Sequence, residues 1–262
     1  MIQQPTIIAI DFDGVICDGM IEYFQTAWLT YCEVWSPINS TPSEEIAQSF
    51  YRTRPVIEIG WEMPILVRAL ILGISELNIL KDWNIICKKI IQDENLKSEN
   101  ISPLLDNIRD QWIQTDFDGW LRLHRFYPGI IPQLKQWLNP NFPPLIQPII
   151  ITTKEERFVR ALLQQQNIIM PDGTIYGKGC KRPKYETLRQ LLFTPETPPR
   201  IWFIEDRLKA LLAVEKQPDL TEIRLFLADW GYNTQVEKKF TVSHPKIKLL
   251  TLSQFTQDFS HW

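Results

Sequence analysis

Five short apolar runs punctuate the chain, at Thr6–Ile10, Leu145–Ile151, Ile201–Ile204, Ile223–Ala228 and Lys246–Leu250. They are rich in isoleucine, and several are apolar at successive rather than alternate positions. That is the pattern of a strand covered by helices on both faces of a parallel sheet. Between the runs lie stretches of helical period. Lys154–Gln166 places Phe158, Val159, Leu162 and Leu163 on one stripe, and Tyr185–Leu192 is a second, shorter amphipathic stretch. Strand alternating with helix predicts an α/β fold with a mainly parallel sheet.

The rhythm breaks between the first and second runs, where residues 18–122 read almost wholly as helix. The segments are Ile21–Tyr31, Ser43–Tyr51, Ile65–Leu72 and Trp83–Ile91. Ser43 has the character of an N-cap, with Glu44 and Glu45 favourable in the first turn. An insert of this length is too long for a crossover, so it is expected to be an all-helical domain of its own. The sheet domain then comprises residues 1–17 and 123–262, and the chain re-enters it around Phe126-Tyr127-Pro128-Gly129-Ile130. Proline-rich segments at 139–148 and 194–200 read as loops. There is no internal repeat and no low-complexity tract.

Composition narrows the function. With 44% hydrophobic and 23% charged residues in 262, there is apolar material for a sizeable core. A formal net charge of -3 argues against a nucleic-acid or membrane-surface binder, which would carry a basic patch. Ten glycines is about half the usual ~7%, and neither G-x-G-x-x-G nor G-x-x-x-x-G-K-[ST] occurs, so glycine-loop nucleotide binding has no support. Cys17, Cys32, Cys87 and Cys180 lack C-x-x-C spacing and read as buried free thiols. His124, His244 and His261 show no ligand spacing, and the ten tryptophans are too dispersed to form a base-stacking platform. The N-terminus has an acid by Asp11, wrong for a signal peptide. No apolar stretch reaches the ~18 residues of a membrane span. A soluble, cytoplasmic protein is expected, acting on a small molecule, with an oligomeric state the sequence leaves open.

The chemistry concentrates at Asp11-Phe12-Asp13-Gly14-Val15, directly after the first apolar run. A carboxylate at the carboxyl end of a parallel strand sits where open α/β sheets bind ligands. Gly14 permits a tight turn there. The same four letters recur at Asp116-Phe117-Asp118-Gly119, but Trp112–Thr115 before them is no strand, and that copy reads as a helix terminus or surface turn.

Asp11-Phe-Asp13-Gly14-Val15 after an apolar strand resembles motif I of the haloacid dehalogenase superfamily, in its phosphatase branch. Further motifs follow in order. Thr152 after Ile149–Ile151 is similar to the phosphate-binding Thr or Ser of motif II, with Thr153 beside it. Glu205-Asp206 after Ile201–Ile204 look like the acidic motif IV. Lys178-Gly-Cys-Lys181-Arg182-Pro-Lys184 before a helix resembles the motif III lysine region, with Lys184 the leading candidate and Lys181 the alternative. Tyr127-Pro128-Gly129 and Trp230-Gly231-Tyr232 are smaller echoes.

The resemblance implies a Rossmann-like three-layer core with an inserted helical cap at 18–122. It further implies a magnesium-dependent phosphatase of a small phosphorylated metabolite, such as a phosphoglycolate-like acid or a sugar phosphate. Asp11 would be the nucleophile that forms an aspartyl-phosphate, ionised at neutral pH without help. Two like charges ~4 Å apart repel by ~4 kcal/mol at an effective dielectric of ~20, so the attack needs nearby cations. Magnesium would bind Asp11, Asp206 and the backbone carbonyl of Asp13, with Glu205 as a further acidic ligand. Asp13 would exchange protons with the leaving alcohol and the attacking water. Thr152 and the motif III lysine would meet the phosphoryl charge. Gly14, Thr153 and, in the cap, Arg52 and Arg54 are candidate substrate contacts within a shaped stretch reaching Glu62. A phosphomutase of the same superfamily and a non-catalytic regulatory protein on this scaffold remain open.

Overall fold

The apolar runs pair edge to edge. A computed structural model describes residues 4–141, 145–193 and 197–262, and the chain divides into one unit of Met1–Asp18 with Arg125–Trp262 and another of Gly19–His124. The strands of the first unit are β1 (Ile7–Ile10), β2 (Cys17–Asp18), β3 (Arg125–Phe126), β4 (Gln147–Ile151), β5 (Ile175–Tyr176), β6 (Ile201–Glu205), β7 (Arg224–Ala228) and β8 (Ile247–Leu250). Six form one sheet in the order β5-β4-β1-β6-β7-β8, with every neighbouring pair parallel. β2 and β3 make a short antiparallel ladder where the chain leaves this unit and returns to it. Neither that ladder nor β5 shows in the apolar pattern, because a two-residue strand carries no period.

Alternate side chains of each strand go to opposite layers. Ala9, Ile149, Phe203 and Leu225 share a core with Leu188 of helix Lys184–Phe193 and Leu211 of helix Leu208–Glu215. On the other face Trp202 and Phe226 each lie 5.6 Å, ring centre to ring centre, from Trp262. Trp262 in turn packs against Trp137 of helix Ile130–Trp137. The result is the expected α/β fold, a parallel sheet between two helical layers.

Pro148 lies inside β4, where a proline would ordinarily cost a ladder hydrogen bond. Gln147 donates its N–H toward β1, to Thr6 at 2.9 Å, so the next residue faces the other way. β5 pairs only with Ile150 and Ile151, so β4 is an edge at Pro148 and no N–H is needed. The loops expected at 139–148 and 194–200 fall partly outside the described residues, at 142–144 and 194–196.

The second unit is helical throughout, with helices Met20–Trp35, Glu44–Thr53, Glu62–Ile71, Glu76–Asp93, Ser98–Thr115 and Phe117–Leu121 and a 3-10 turn at Arg54–Val56. The Ser43 hydroxyl accepts from the Ile46 N–H, as a cap should. Asp116 caps its own short helix through the Gly119 N–H at 2.8 Å, so the second D-F-D-G is a helix terminus. Pro103 lies within Ser98–Thr115, a residue that reads in sequence as a helix breaker. Buried Glu22 receives Arg109 and the Thr26 hydroxyl at Oε1, each at 2.7 Å. Of the four free thiols expected to be buried, Cys17 and Cys87 are, Cys32 is half-buried and Cys180 is exposed. Among the described residues no helix is long and apolar enough to cross a membrane.

Candidate active site

The sheet order places β1 where the chain reverses its direction of travel across the sheet, and the crevice at the strands' carboxyl ends is the ligand position in such folds. Register then sets which side chains meet there. Ile10 pairs with Ile204, and the Asp11 N–H donates to Ile204 at 2.9 Å, so Asp11 stands level with Glu205. Lys184, the first residue of its helix, brings its Nζ to 2.7 Å from Asp11 Oδ1 and 2.6 Å from Glu205 Oε2. The other Glu205 oxygen accepts the N–H groups of Asp206 at 3.2 Å and Arg207 at 3.0 Å. Asp206 Oδ2 accepts the Tyr232 N–H at 2.7 Å.

Two buried carboxylates, Asp11 and Glu205, thus close on one ammonium, and a third, Asp206, is buried beside them. Burial first, and the neighbouring Glu205 charge second, raise the Asp11 pKa to about 7, with Lys184 opposing. Burial, reinforced by Asp11, raises Asp206 to about 6, and burial also raises Glu205. For Lys184 burial opposes the charge, but Asp11 and Glu205 outweigh it and hold the ammonium above its ordinary value. At about 7 Asp11 is only partly ionised at neutral pH, where its residue type alone leads one to expect full ionisation.

The donor set fits a divalent cation. Carboxylate oxygens of Asp11, Glu205 and Asp206 lie within 4.8 Å of one another. Asp206 Oδ1 is buried without a hydrogen bond among the described residues. The ionised knot would carry two net negative charges. Both Glu205 oxygens are already engaged by Lys184 and the backbone, so Asp11 and Asp206 are the better placed for direct ligation. The Asp13 carboxylate stands outside this trio and pairs with Lys154 at 3.0 Å.

The remaining expected residues divide. Thr152 is buried, and its Oγ1 accepts the Lys154 N–H at 3.1 Å, which leaves its own O–H to be donated. Thr153 is exposed on the same loop. Gly14 has φ +85°, and a Cβ there would overlap the Asp206 carboxylate. Its N–H is spent on Cys17 at 2.8 Å, so it contributes the absence of a side chain rather than a donor. Lys181 is exposed in a left-handed turn, and of the two candidate lysines only Lys184 reaches Asp11. Arg182 donates to the Thr187 hydroxyl at 3.0 Å.

In the helical unit Arg52 binds Glu76 through two nitrogens at 2.8 and 2.6 Å. Arg54 lies 5.0 Å over the Tyr23 ring and donates to the Ile57 carbonyl. The loop between them and Glu62 is shaped by Glu62, which accepts from the Glu58 N–H at 2.8 Å. His124 is buried against Trp120, ring centres 4.4 Å apart.

Sequence reasoning missed Lys154 on Asp13 and Arg207, whose Nη1 donates to the Tyr232 carbonyl at 2.7 Å. It also missed Asn233, which donates to the carbonyls of Asp206 and Ala228. The available signals were a base two residues beyond Thr152 and the Trp230-Gly231-Tyr232 run.

No protein-family model matches the chain, and no curated protein matches it. Several solved structures do match. A predicted phosphoglycolate phosphatase from Haemophilus somnus aligns over 98% of this chain and 97% of its own, at 15% identity and a TM-score of 0.60. A predicted phosphatase from Clostridium acetobutylicum aligns over 97% of both chains at 13% identity and 0.56. A haloacid dehalogenase-like hydrolase from Streptococcus pneumoniae covers 94% of this chain and 93% of its own at 17% identity and 0.53. The chain has the fold of the haloacid dehalogenase-like hydrolases.

Proposed function

We propose that the protein is a magnesium-dependent phosphoric monoester hydrolase acting on a small phosphorylated metabolite through an aspartyl-phosphate. The observation that carries this reading is the buried group of Asp11, Glu205, Asp206 and Lys184 at the carboxyl ends of β1 and β6. The neighbouring structures described as phosphatases, one of them for phosphoglycolate, support the reaction class and a small phosphorylated acid as substrate. The helical unit 19–124 is assigned as the cap that selects the substrate.

A magnesium ion held by Asp11, Asp206 and the Asp13 main-chain carbonyl would supply the positive charge that keeps Asp11 ionised and offsets the phosphoryl charge. Asp11 attacks phosphorus and the bond to the leaving oxygen breaks, while Asp13 gives that oxygen a proton. Asp13 then takes a proton from water, the water attacks the aspartyl-phosphate, and inorganic phosphate leaves with Asp11 restored. Lys184 holds Asp11 in place and stabilises charge that develops on the phosphoryl group, and Thr152 donates its hydroxyl to a phosphoryl oxygen. Glu205, with both oxygens engaged, orients Lys184 and the Asp206 backbone. Asp11→Asn is expected to abolish magnesium-dependent hydrolysis of p-nitrophenyl phosphate, and unchanged turnover would sink the mechanism.

A further inference from the structure

We infer that Lys154 is a positioning residue for Asp13, holding its carboxylate in the orientation from which protons pass to and from the substrate oxygen. The inference rests on the reading of Asp13 as general acid and base given above.

Lys154 Nζ lies 3.0 Å from one Asp13 oxygen and 3.4 Å from the other, so it straddles the carboxylate. Both side chains are largely buried, Lys154 at 8% exposure and Asp13 at 17%, unlike an ordinary surface pair. The base of the lysine is fixed as well. Its N–H donates to Thr152 Oγ1 at 3.1 Å, and its carbonyl accepts the Lys178 N–H at 2.9 Å. Gly177 packs so closely that a Cβ there would lie 2.7 Å from the Lys154 carbonyl oxygen and 2.8 Å from the Glu156 nitrogen. The loops after β4 and β5 therefore clamp the backbone of Lys154 on both sides, and its side chain is spent on Asp13.

A group that gives a proton in one half-reaction and takes one in the next must keep its oxygens aimed in both, because general acid–base catalysis is won only within hydrogen-bond reach. An ammonium bound to both oxygens restricts rotation of the carboxyl group.

The test is a series of phosphate esters whose leaving groups run from p-nitrophenol to simple alkyl alcohols, read as kcat/KM, which reports the first phosphoryl transfer. p-Nitrophenolate leaves without a proton, whereas an alkoxide needs one. Lys154→Met is expected to lower kcat/KM for alkyl esters about 10–100-fold, part of the ~10²–10⁴-fold that such catalysis contributes, and for p-nitrophenyl phosphate less than about 3-fold. Asp13→Asn should steepen the series in the same sense. Because the slope is a ratio within one preparation, it does not depend on the folded fraction, and Lys154→Gln carries the test if the methionine variant is insoluble. An equal fall across the series would overturn the inference and mark Lys154 as a phosphate-binding or purely structural residue. Asp11→Asn separates the two levels. If it hydrolyses the series like the native protein, the phosphatase reading fails and the inference with it; if it is inactive, the slope alone decides on Lys154.

Discussion

Replacing Lys184 with methionine would leave Asp11 and Glu205 facing each other without the ammonium now 2.7 and 2.6 Å from them. Removing one partner of a buried pair costs about 3–5 kcal/mol when the other charge stays buried. At roughly 2–4 °C per kcal/mol for a chain of this size, melting should fall by about 10 °C near neutral pH. The carboxylates can soften the loss by taking up a proton. Asp11 already stands at about 7 because of burial and Glu205, and loss of Lys184 moves it further up. A carboxyl group whose folded pKa is raised binds its proton more tightly in the folded than in the unfolded state. Stability therefore falls as pH rises from about 4 through the folded value, by about 1.4 kcal/mol per unit for each proton. The deficit of Lys184→Met should be small at pH 5 and grow toward pH 8 in thermal melts without divalent cation. Turnover with magnesium should drop about 10²–10³-fold. A deficit below about 1 kcal/mol that ignores pH, with turnover near native, would refute the buried triad.

Gly14→Ala adds a Cβ that overlaps the Asp206 carboxylate at a backbone φ of +85°. It should lower stability by about 1–2 kcal/mol and raise the magnesium concentration needed for half-maximal activity about tenfold or more; an unchanged magnesium titration would show that Asp206 is not a ligand. Arg52→Gln breaks the exposed pair with Glu76 and should leave turnover near native, with melting shifted by less than about 2 °C. The Arg52 hydrogen bond holds the Glu76 carboxyl at about 2, so its contribution is present above the ordinary glutamate range and fades as pH falls from there toward 2. A large loss of turnover in this variant would place Arg52 among the substrate contacts.

The parts of the fold visible in sequence are those with a local signature. Each of the five apolar runs overlaps a strand of the large sheet, most plainly β1, which is buried on both faces and apolar at every position. β5 and the β2–β3 ladder escaped, being too short for a period. At the site, Asp11 was legible as a carboxylate ending an apolar run, and Thr152 and Glu205-Asp206 through the resemblance to the superfamily's motifs. Arg52 and Arg54 were singled out for being cations in a shaped stretch, and the structure gives them Glu76 and Tyr23 as partners.

From the sequence alone came the α/β class, the positions of the acids at strand ends and the short choice of basic residues near 178–184. Only the tertiary structure decided that Lys184 rather than Lys181 reaches Asp11, that Glu205 is consumed by Lys184 and the backbone, and that Lys154 belongs to Asp13, 141 residues away along the chain. Strand identity follows from local burial pattern, which neighbouring residues share and the eye can read. Pairing of charges follows from strand order and register, which bring together residues that carry no mark of one another in the sequence.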